Sequence, residues 1–156
     1  MHRLRIGEFM RIIQMDNGFK ILYKPMANTH SVTIGLYVRA GIRYENAWEN
    51  GITHLLEHLH FRQLYNMSQN ELYYSMESIG STLKACTYSD FLKFSMKICP
   101  QYFNQAIKIF KNILLTYKWS EDSFKNEICV VKKQIDEKNA SYSNEQYIKE
   151  SLFGDD

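Results

Sequence analysis

The residues best suited to chemistry are His54, Glu57 and His58, which form a His-x-x-Glu-His pentad. Side chains four residues apart share one face of an α-helix, so the two imidazoles converge on one point. Two histidines placed in this way are a natural pair of zinc ligands. Glu57 points towards the same place, where its carboxylate could take a proton from a water at the metal. The alternative is that three polar residues coincide on an amphipathic helix.

Length and composition bound the class of protein. The 156 residues, 45% of them hydrophobic, fit a single domain over 1–156 with a real core. With 19 basic and 17 acidic residues, the charge gives no argument for nucleic acid or a membrane surface as a partner. No segment resembles a signal peptide or a membrane span. The three cysteines have no zinc-ribbon or redox spacing, so we expect them to be reduced and the chain to be cytoplasmic: Cys86, Cys99 and Cys129.

Turn signals and hydrophobic periodicity predict the elements that position the pentad. Three strands precede the pentad helix, and an Asp-Asn-Gly turn at 16–18 separates the first two. The predicted elements, in chain order, are strands over about 11–15, 19–24 and 31–39, the pentad helix, a helix from the capping box at 68–71 to Gly80, strands over 82–87 and 91–98, a helix from Pro100, a helix from Ser120 to about 138 and a short helix over 144–152.

The order of these elements predicts an α+β fold, a mostly antiparallel sheet with helices packed on one face. In the helix from Pro100, the apolar residues expected to face the core are Phe103, Ile107, Phe110, Ile113 and Leu114. His60 lies two residues past His58 and points about 200° away round the helix, so we expect a surface or packing role for it.

Several further pieces, in one order, extend the pentad into a family pattern. They are Asn17-Gly18, Ser31-Val32, Ala40-Gly41-Ile42-Arg43-Tyr44-Glu45, Glu49-Asn50-Gly51-Ile52-Thr53-His54, Ser78-Ile79-Gly80 with Ala85-Cys86-Thr87, and Glu127-Ile128-Cys129-Val130-Val131. Over residues 11–156 the chain resembles the N-terminal domain of the M16 metallopeptidases, the inverzincin family of insulin-degrading enzyme, pitrilysin and the mitochondrial processing peptidase. Because family members continue beyond this point, the resemblance describes a domain that is incomplete at its C-terminus.

The resemblance implies a zinc-dependent endopeptidase in which His54 and His58 bind the metal and Glu57 is the general base. It places Glu127 as an acid beside the metal ligands, the alternative being an exposed helix charge. Seven residues further on, the family's third ligand is a glutamate, whereas this chain has Gln134. A neutral amide is a poorer zinc ligand than a carboxylate, so zinc is expected to bind weakly. Glu137 could replace it only if the helix shifted.

Two other departures concern the substrate and the partner. Lys84 stands where the family has an asparagine, on the strand at which the resemblance implies that a peptide docks by β-augmentation. A lysine is equally what an ordinary protected edge strand carries. The resemblance also implies a second, similar domain or subunit that completes the site.

Three interpretations of function follow. The first is a zinc peptidase, acting on a peptide or unfolded protein and needing a second M16-like domain or subunit. The second is a non-catalytic M16-like module that binds peptides or a partner and has a degenerate metal site. The third is a non-functional fragment, or a variant in which Gln134 replaces a glutamate.

Overall fold

The computed structural model describes residues 2–6, 10–115, 119–140 and 151, and the chain divides into two compact units between Ser31 and Val32. The first unit is a three-stranded antiparallel sheet in the order β1-β2-β3. Its strands are β1 (His2–Ile6), β2 (Met10–Gln14) and β3 (Lys20–Tyr23).

A tight turn joins β2 to β3, as the Asp-Asn-Gly signal predicts. Gly18 has a φ of +84°, which a residue without Cβ adopts at little cost. Its backbone N–H donates to the Met15 carbonyl (3.0 Å), and the Asn17 side-chain oxygen accepts from the Phe19 N–H (3.1 Å). The hairpin is therefore confirmed, whereas β1 was not predicted.

The second unit holds the pentad. Its elements, in chain order, are β4 (Val32–Val38), α1 (Ile52–Arg62), β5 (Gln63–Leu64), β6 (Met67–Ser68), α2 (Gln69–Glu77), β7 (Leu83–Thr87), β8 (Leu92–Ile98), α3 (Phe103–Leu114) and α4 (Glu121–Ala140). Strand β8 is central in the antiparallel order β4-β8-β7, and β5 pairs with β6.

Burial on β8 alternates with a period of two, as expected for a strand with one face on a core. Leu92, Phe94, Met96 and Ile98 are buried, and helices α2 and α3 supply the other side of the core. This confirms the α+β prediction of an antiparallel sheet with helices on one face. The predicted strand at 31–39 corresponds to β4, whose partner is β8, a long-range pairing that local sequence patterns do not reveal.

The predicted buried side of α3 needs correction. Phe103, Ile107 and Leu114 are exposed. The buried positions are spaced i, i+3, i+4 and i+7, which is one helical face, and they include a small residue that was overlooked among larger apolar ones. They are Ala106, Ile109, Phe110 and Ile113.

Side chains cap the helices where the sequence predicts. The Ser68 N–H donates to the Glu71 carboxylate (2.7 Å), and the Ser68 hydroxyl accepts from the Glu71 N–H (3.4 Å), which completes a capping box. At α4 the Ser120 hydroxyl accepts from the Ser123 N–H (3.1 Å). The short helix predicted over 144–152 lies outside the described residues, apart from 151. Within the described chain, no helix combines the length and apolarity needed to cross a membrane.

Candidate metal centre

Helix α1 carries the pentad, and Glu45 holds its first turn. The Glu45 carboxylate accepts from the backbone N–H groups of Gly51 (2.7 Å) and Thr53 (2.8 Å), which have no partner within the helix. Burial alone would raise the pKa of Glu45. Hydrogen bonds from Thr53 and Gly51, together with the charge of His54, outweigh burial and lower that pKa below its usual value. In the sequence Glu45 stands out only as part of the turn at 40–45 that resembles the family's, so this capping role was not predicted.

The two pentad histidines meet as expected for residues four apart on a helix. Their Nε2 atoms are 3.2 Å apart, and the rings are nearly perpendicular, with an interplanar angle of 72°. Two nitrogens that each lie 2.0–2.1 Å from a tetrahedral zinc are separated by about 3.3–3.4 Å. The spacing of these two nitrogens therefore fits two ligands of one zinc ion.

Glu127, on α4, supports His58 from behind. Its side chain is 2% exposed, and its Oε2 lies 3.0 Å from His58 Nδ1. An ionised carboxylate only accepts hydrogen bonds, so Nδ1 is the donor in this contact. In the neutral imidazole the lone pair is then on Nε2, the nitrogen that faces His54. A carboxylate behind the imidazole is the usual support of a metal-binding histidine. The Glu127 side chain is buried and hydrogen-bonded, which contradicts the alternative of an exposed helix charge.

Two polar residues outside the pentad complete this contact. Arg62 Nε donates to Glu127 Oε1, and Arg62 Nη1 donates to the Gln69 side-chain oxygen (3.1 Å). Neither Arg62 nor Gln69 was singled out from the sequence. The i+4 spacing of Arg62 from His58 was the signal that could have found the first of them.

Glu57 is hydrogen-bonded to a residue of the sheet. The Thr87 hydroxyl, at the end of β7, donates to Glu57 Oε2 at 2.5 Å, and both side chains are half-buried. This bond joins α1 to β7 and restricts the carboxylate that the sequence predicts as the general base.

Gln134 lies on α4 in the direction of the first turn of α1. Helices α1 and α4 run antiparallel, since Glu127 contacts His58 while a Cβ built on Gly51 would lie 3.1 Å from the Ile135 side chain. Seven residues separate Gln134 from Glu127, which keeps it on the same helical face about 10.5 Å along the axis. Gln134 is half-buried, and Glu137 is exposed on the same helix.

The described histidine, cysteine and acidic side chains do not form a complete set of metal ligands. Over the described ranges, no group of three or more His, Cys, Asp or Glu side chains is arranged to hold a metal ion. Gln134, an amide, does not belong to these four residue types. The roles of His54, His58, Gln134, Glu57 and Glu127 toward a metal remain predictions.

His60 has the packing role expected of it. Its ring lies 5.2 Å from that of Phe94 and 6.2 Å from that of Trp119, and its Nδ1 is 2.7 Å from the Leu56 carbonyl oxygen. Burial lowers the pKa of His60, against the opposing effect of its backbone hydrogen bonds. Trp119 Nε1 donates to the Leu59 carbonyl (3.0 Å), which ties α1 to the segment that precedes α4.

Lys84 is exposed on β7, opposite Ser95 of β8. Strand β7 is at an edge of the sheet as far as the described residues show. The position therefore suits both the docking strand that the resemblance implies and an ordinary edge strand protected by a lysine.

Comparisons with known proteins match most of the chain. Mitochondrial-processing peptidase subunit beta of Saccharomyces cerevisiae is 32% identical over 132 residues, which are 85% of this chain and 29% of that protein. An uncharacterized zinc protease of Bacillus subtilis, YmxG, is 29% identical over 120 residues, 77% of this chain and 29% of that protein. Cytochrome b-c1 complex subunit 1 of Mus musculus is 26% identical over 130 residues, 83% and 27% of the two chains.

A solved structure shows the same fold. The crystal structure of a protease from Helicobacter pylori matches with a TM-score of 0.75 and 23% identity, and covers 80% of this chain and 30% of that one. This chain spans about three tenths of the length of the curated relatives named above. The family model described as "Insulinase (Peptidase family M16)" matches residues 20–155. The chain therefore belongs to the M16, or insulinase, peptidase family.

Proposed function

We propose that this chain is the metal-binding part of a zinc-dependent endopeptidase that is completed by a second M16-like domain or subunit. The observation that carries the proposal is the pair of Nε2 atoms of His54 and His58, 3.2 Å apart, with the Glu127 carboxylate behind His58. That arrangement combines the spacing of two zinc ligands with a carboxylate that fixes the orientation of one of them, His58.

Each residue of the candidate centre would have its own role in peptide hydrolysis. His54 and His58 would hold zinc, with the amide oxygen of Gln134 as the third protein ligand. Zinc, when bound, supplies a Lewis acid for peptide hydrolysis. The Glu57 carboxylate accepts a proton from the attacking water and returns one to the leaving amine. The Thr87 hydroxyl restrains Glu57 during both transfers.

Gln134 weakens this centre without removing it. Two imidazoles and an amide carry no negative charge, whereas a glutamate in that place would contribute one to a divalent cation. We therefore expect a zinc dissociation constant that is at least about tenfold higher than that of a Gln134→Glu variant.

The proposal of a partner is supported by the names and lengths of the relatives. The yeast relative is named as a subunit, and the relatives are about three times as long as this chain. A peptide or unfolded protein would add to the exposed edge of β7, where backbone hydrogen bonds supply affinity. Lys84 would then favour substrates that are acidic next to this strand.

A non-catalytic M16-like subunit is the second candidate. It is supported by Gln134 in place of an acidic ligand, and by the mouse relative, which is named as a subunit of the cytochrome b-c1 complex rather than as a peptidase. Such a subunit would use the same fold to bind a peptide or an active homologue, and it would not need zinc.

Zinc titration of the purified chain separates the two candidates. We expect micromolar binding by the wild type, a loss of at least about tenfold in His58→Ala, and a gain of at least about tenfold in Gln134→Glu. His30→Ala is the matched control, because His30 is exposed and lies in the first unit. The variants should then be assayed on a quenched fluorescent peptide, with and without an added M16 subunit.

The outcomes bear on different parts of the proposal. Absence of zinc binding by both the wild type and Gln134→Glu would exclude the peptidase. Binding that His58→Ala does not reduce would move the zinc site elsewhere. Zinc binding and cleavage that require the added subunit and are lost in Glu57→Gln would exclude the non-catalytic alternative.

A further inference from the structure

A buried carboxylate on α4 is shared between two side chains of α1. Glu127 Oε2 faces His58 Nδ1, and Glu127 Oε1 accepts from Arg62 Nε. The Glu127 side chain is 2% exposed, whereas Arg62 is 45% exposed. A buried charge is costly unless it is paired and hydrogen-bonded, so the guanidinium is what balances this carboxylate inside the fold.

The position of Arg62 on the helix makes the sharing possible. Arg62 is four residues after His58, so both side chains leave α1 on the same face and reach the same carboxylate. Each carboxylate oxygen then has its own donor. The Arg62 contact fixes the rotation of the Glu127 carboxylate and directs Oε2 towards His58.

Arg62 is itself held by a third helix. Its Nη1 donates to the side-chain oxygen of Gln69 (3.1 Å), the first residue of α2. A guanidinium is planar and presents its donors in a fixed fork, so the bond to Gln69 orients the bond to Glu127. A continuous path of hydrogen bonds runs from Gln69 through Arg62 and Glu127 to His58 and connects α2, α1 and α4.

We propose that Arg62 is a positioning residue which, held by Gln69, orients Glu127 so that the His58 proton stays on Nδ1 and the Nε2 lone pair faces His54. The inference rests on the proposed function in one respect, because it takes His58 to be a zinc ligand. If the carboxylate turned away, the proton could occupy Nε2, where it would point at His54 and block the metal position.

A simpler role for Arg62 makes different predictions. A cation in the last turn of a helix is favourable towards the helix dipole, whatever its shape. In that role a lysine at position 62 would stabilise the helix as well as the arginine does. Neither Arg62→Lys nor Arg62→Met would then change which ring nitrogen of His58 carries the proton. The experiment therefore compares Arg62→Met, Arg62→Lys and Gln69→Leu, with Arg43→Met as the matched control at an exposed arginine.

The first readout needs no metal. Nitrogen-15 NMR of the imidazole rings in the zinc-free chain reports which ring nitrogen carries the proton, and the His58 signals are identified by their absence in His58→Ala. We expect the Nδ1–H form of His58 in the wild type and in Arg43→Met, and a mixture of both forms in Arg62→Met. In Arg62→Lys the proportion of the Nδ1–H form should lie between those of the wild type and Arg62→Met. An ammonium keeps the positive charge but lacks the planar, forked set of donors of a guanidinium.

The second readout is zinc affinity. We expect a loss of about 10–100-fold in Arg62→Met, as for other residues that orient a metal ligand. Arg62→Lys should recover part of this loss, and Gln69→Leu should lose severalfold.

Unchanged His58 tautomers in Arg62→Met and Gln69→Leu would overturn the inference, as would equal zinc affinity in all variants. If Arg62→Met does not fold, Arg62→Lys and Gln69→Leu decide, since both keep a positive charge beside Glu127. Failure of the proposed function is recognised separately, by a wild type that binds no zinc. In that case the NMR comparison alone tests whether Arg62 positions His58.

Discussion

At the scale of single residues, the centre and the helix that carries it depend on three carboxylates, each of which is held by hydrogen bonds from neighbouring groups. Thr87 holds Glu57, Arg62 holds Glu127, and the first turn of α1 holds Glu45. An acid that is fixed in this way stays in the position where the histidines need it. The contact of Glu45 with the start of α1 is the most easily tested of the three, because it is independent of any metal.

Replacing Glu45 should loosen the start of α1. Glu45→Ala leaves the backbone N–H groups of Gly51 and Thr53 without their acceptor, and we expect a loss of about 1 kcal/mol in the free energy of unfolding. Urea unfolding followed by circular dichroism measures this loss. Glu77→Ala, a change at an exposed glutamate, should stay within about 0.5 kcal/mol of the wild type.

The same residue predicts a dependence on pH. Since the folded-state pKa of Glu45 is lowered, its contribution to stability is fully present above the ordinary glutamate pKa of about 4.5 that applies in the unfolded chain. The contribution is lost as the pH falls from there through the folded pKa. Stability measured in steps from about pH 5.5 downwards should therefore fall less steeply in Glu45→Gln than in the wild type. Equal slopes would contradict a lowered pKa.

At the same scale, part of the site could be read from the sequence. Helical periodicity alone brings His54, Glu57 and His58 to one side of α1, and the histidine geometry agrees with it. The same periodicity places Arg62 on the face of His58, but it does not identify the partner of Arg62, because Glu127 lies 65 residues away and a basic residue in a last helical turn is common. Contacts set by tertiary packing leave no local pattern.

At the scale of elements, Gly41 ties the loop before α1 to the sheet. Its φ is +138°, and a Cβ there would lie 2.4 Å from the Tyr88 carbonyl oxygen. The backbone N–H of Arg43 donates to the Ser89 carbonyl (2.9 Å), so the loop is bound to the turn between β7 and β8. This contact fixes the position of the loop that holds Glu45, and so the position of its carboxylate at the start of α1.

Gly41→Ala should consequently be costly. The backbone conformation is one that only glycine adopts readily, and the clash is with backbone atoms that cannot move aside. We expect a loss of about 3 kcal/mol or more in the free energy of unfolding, measured by urea denaturation. Gly80→Ala is the matched control, since Gly80 has a φ of +61° and open space around it, and should cost about 1 kcal/mol. Equal losses would show that the contact with Tyr88 is unimportant.

The elements also show which sequence signals are sufficient. The capping box at Ser68 and the turn at Gly18 encode their structures locally, and both were predicted. The buried face of α3 was not predicted correctly. Phe103 was placed in the core because it is large and apolar, but it is exposed, and the small Ala106 is buried instead. The pairing of β4 with β8 needs chain closure over about 60 residues, which no local signal describes.

At the scale of the whole molecule, the candidate centre lies in one of the two compact units. The residues described around it, from Glu45 to Gln134, all belong to the second unit. The first unit has about 30 residues, and every residue of β3 is exposed. A segment of that size buries too little apolar surface to be stable alone.

Hydrogen exchange should reveal this difference in the intact chain. Amides of β8, whose alternate side chains are buried in the core, should exchange only through global unfolding. Amides of β2 and β3 should exchange through local opening, with a free energy lower by at least about 2 kcal/mol. Native-state exchange followed by NMR at low urea concentrations measures both strands together. If β3 and β8 exchange with the same free energy and the same urea dependence, residues 1–156 behave as one cooperative domain, as the composition of the chain predicts.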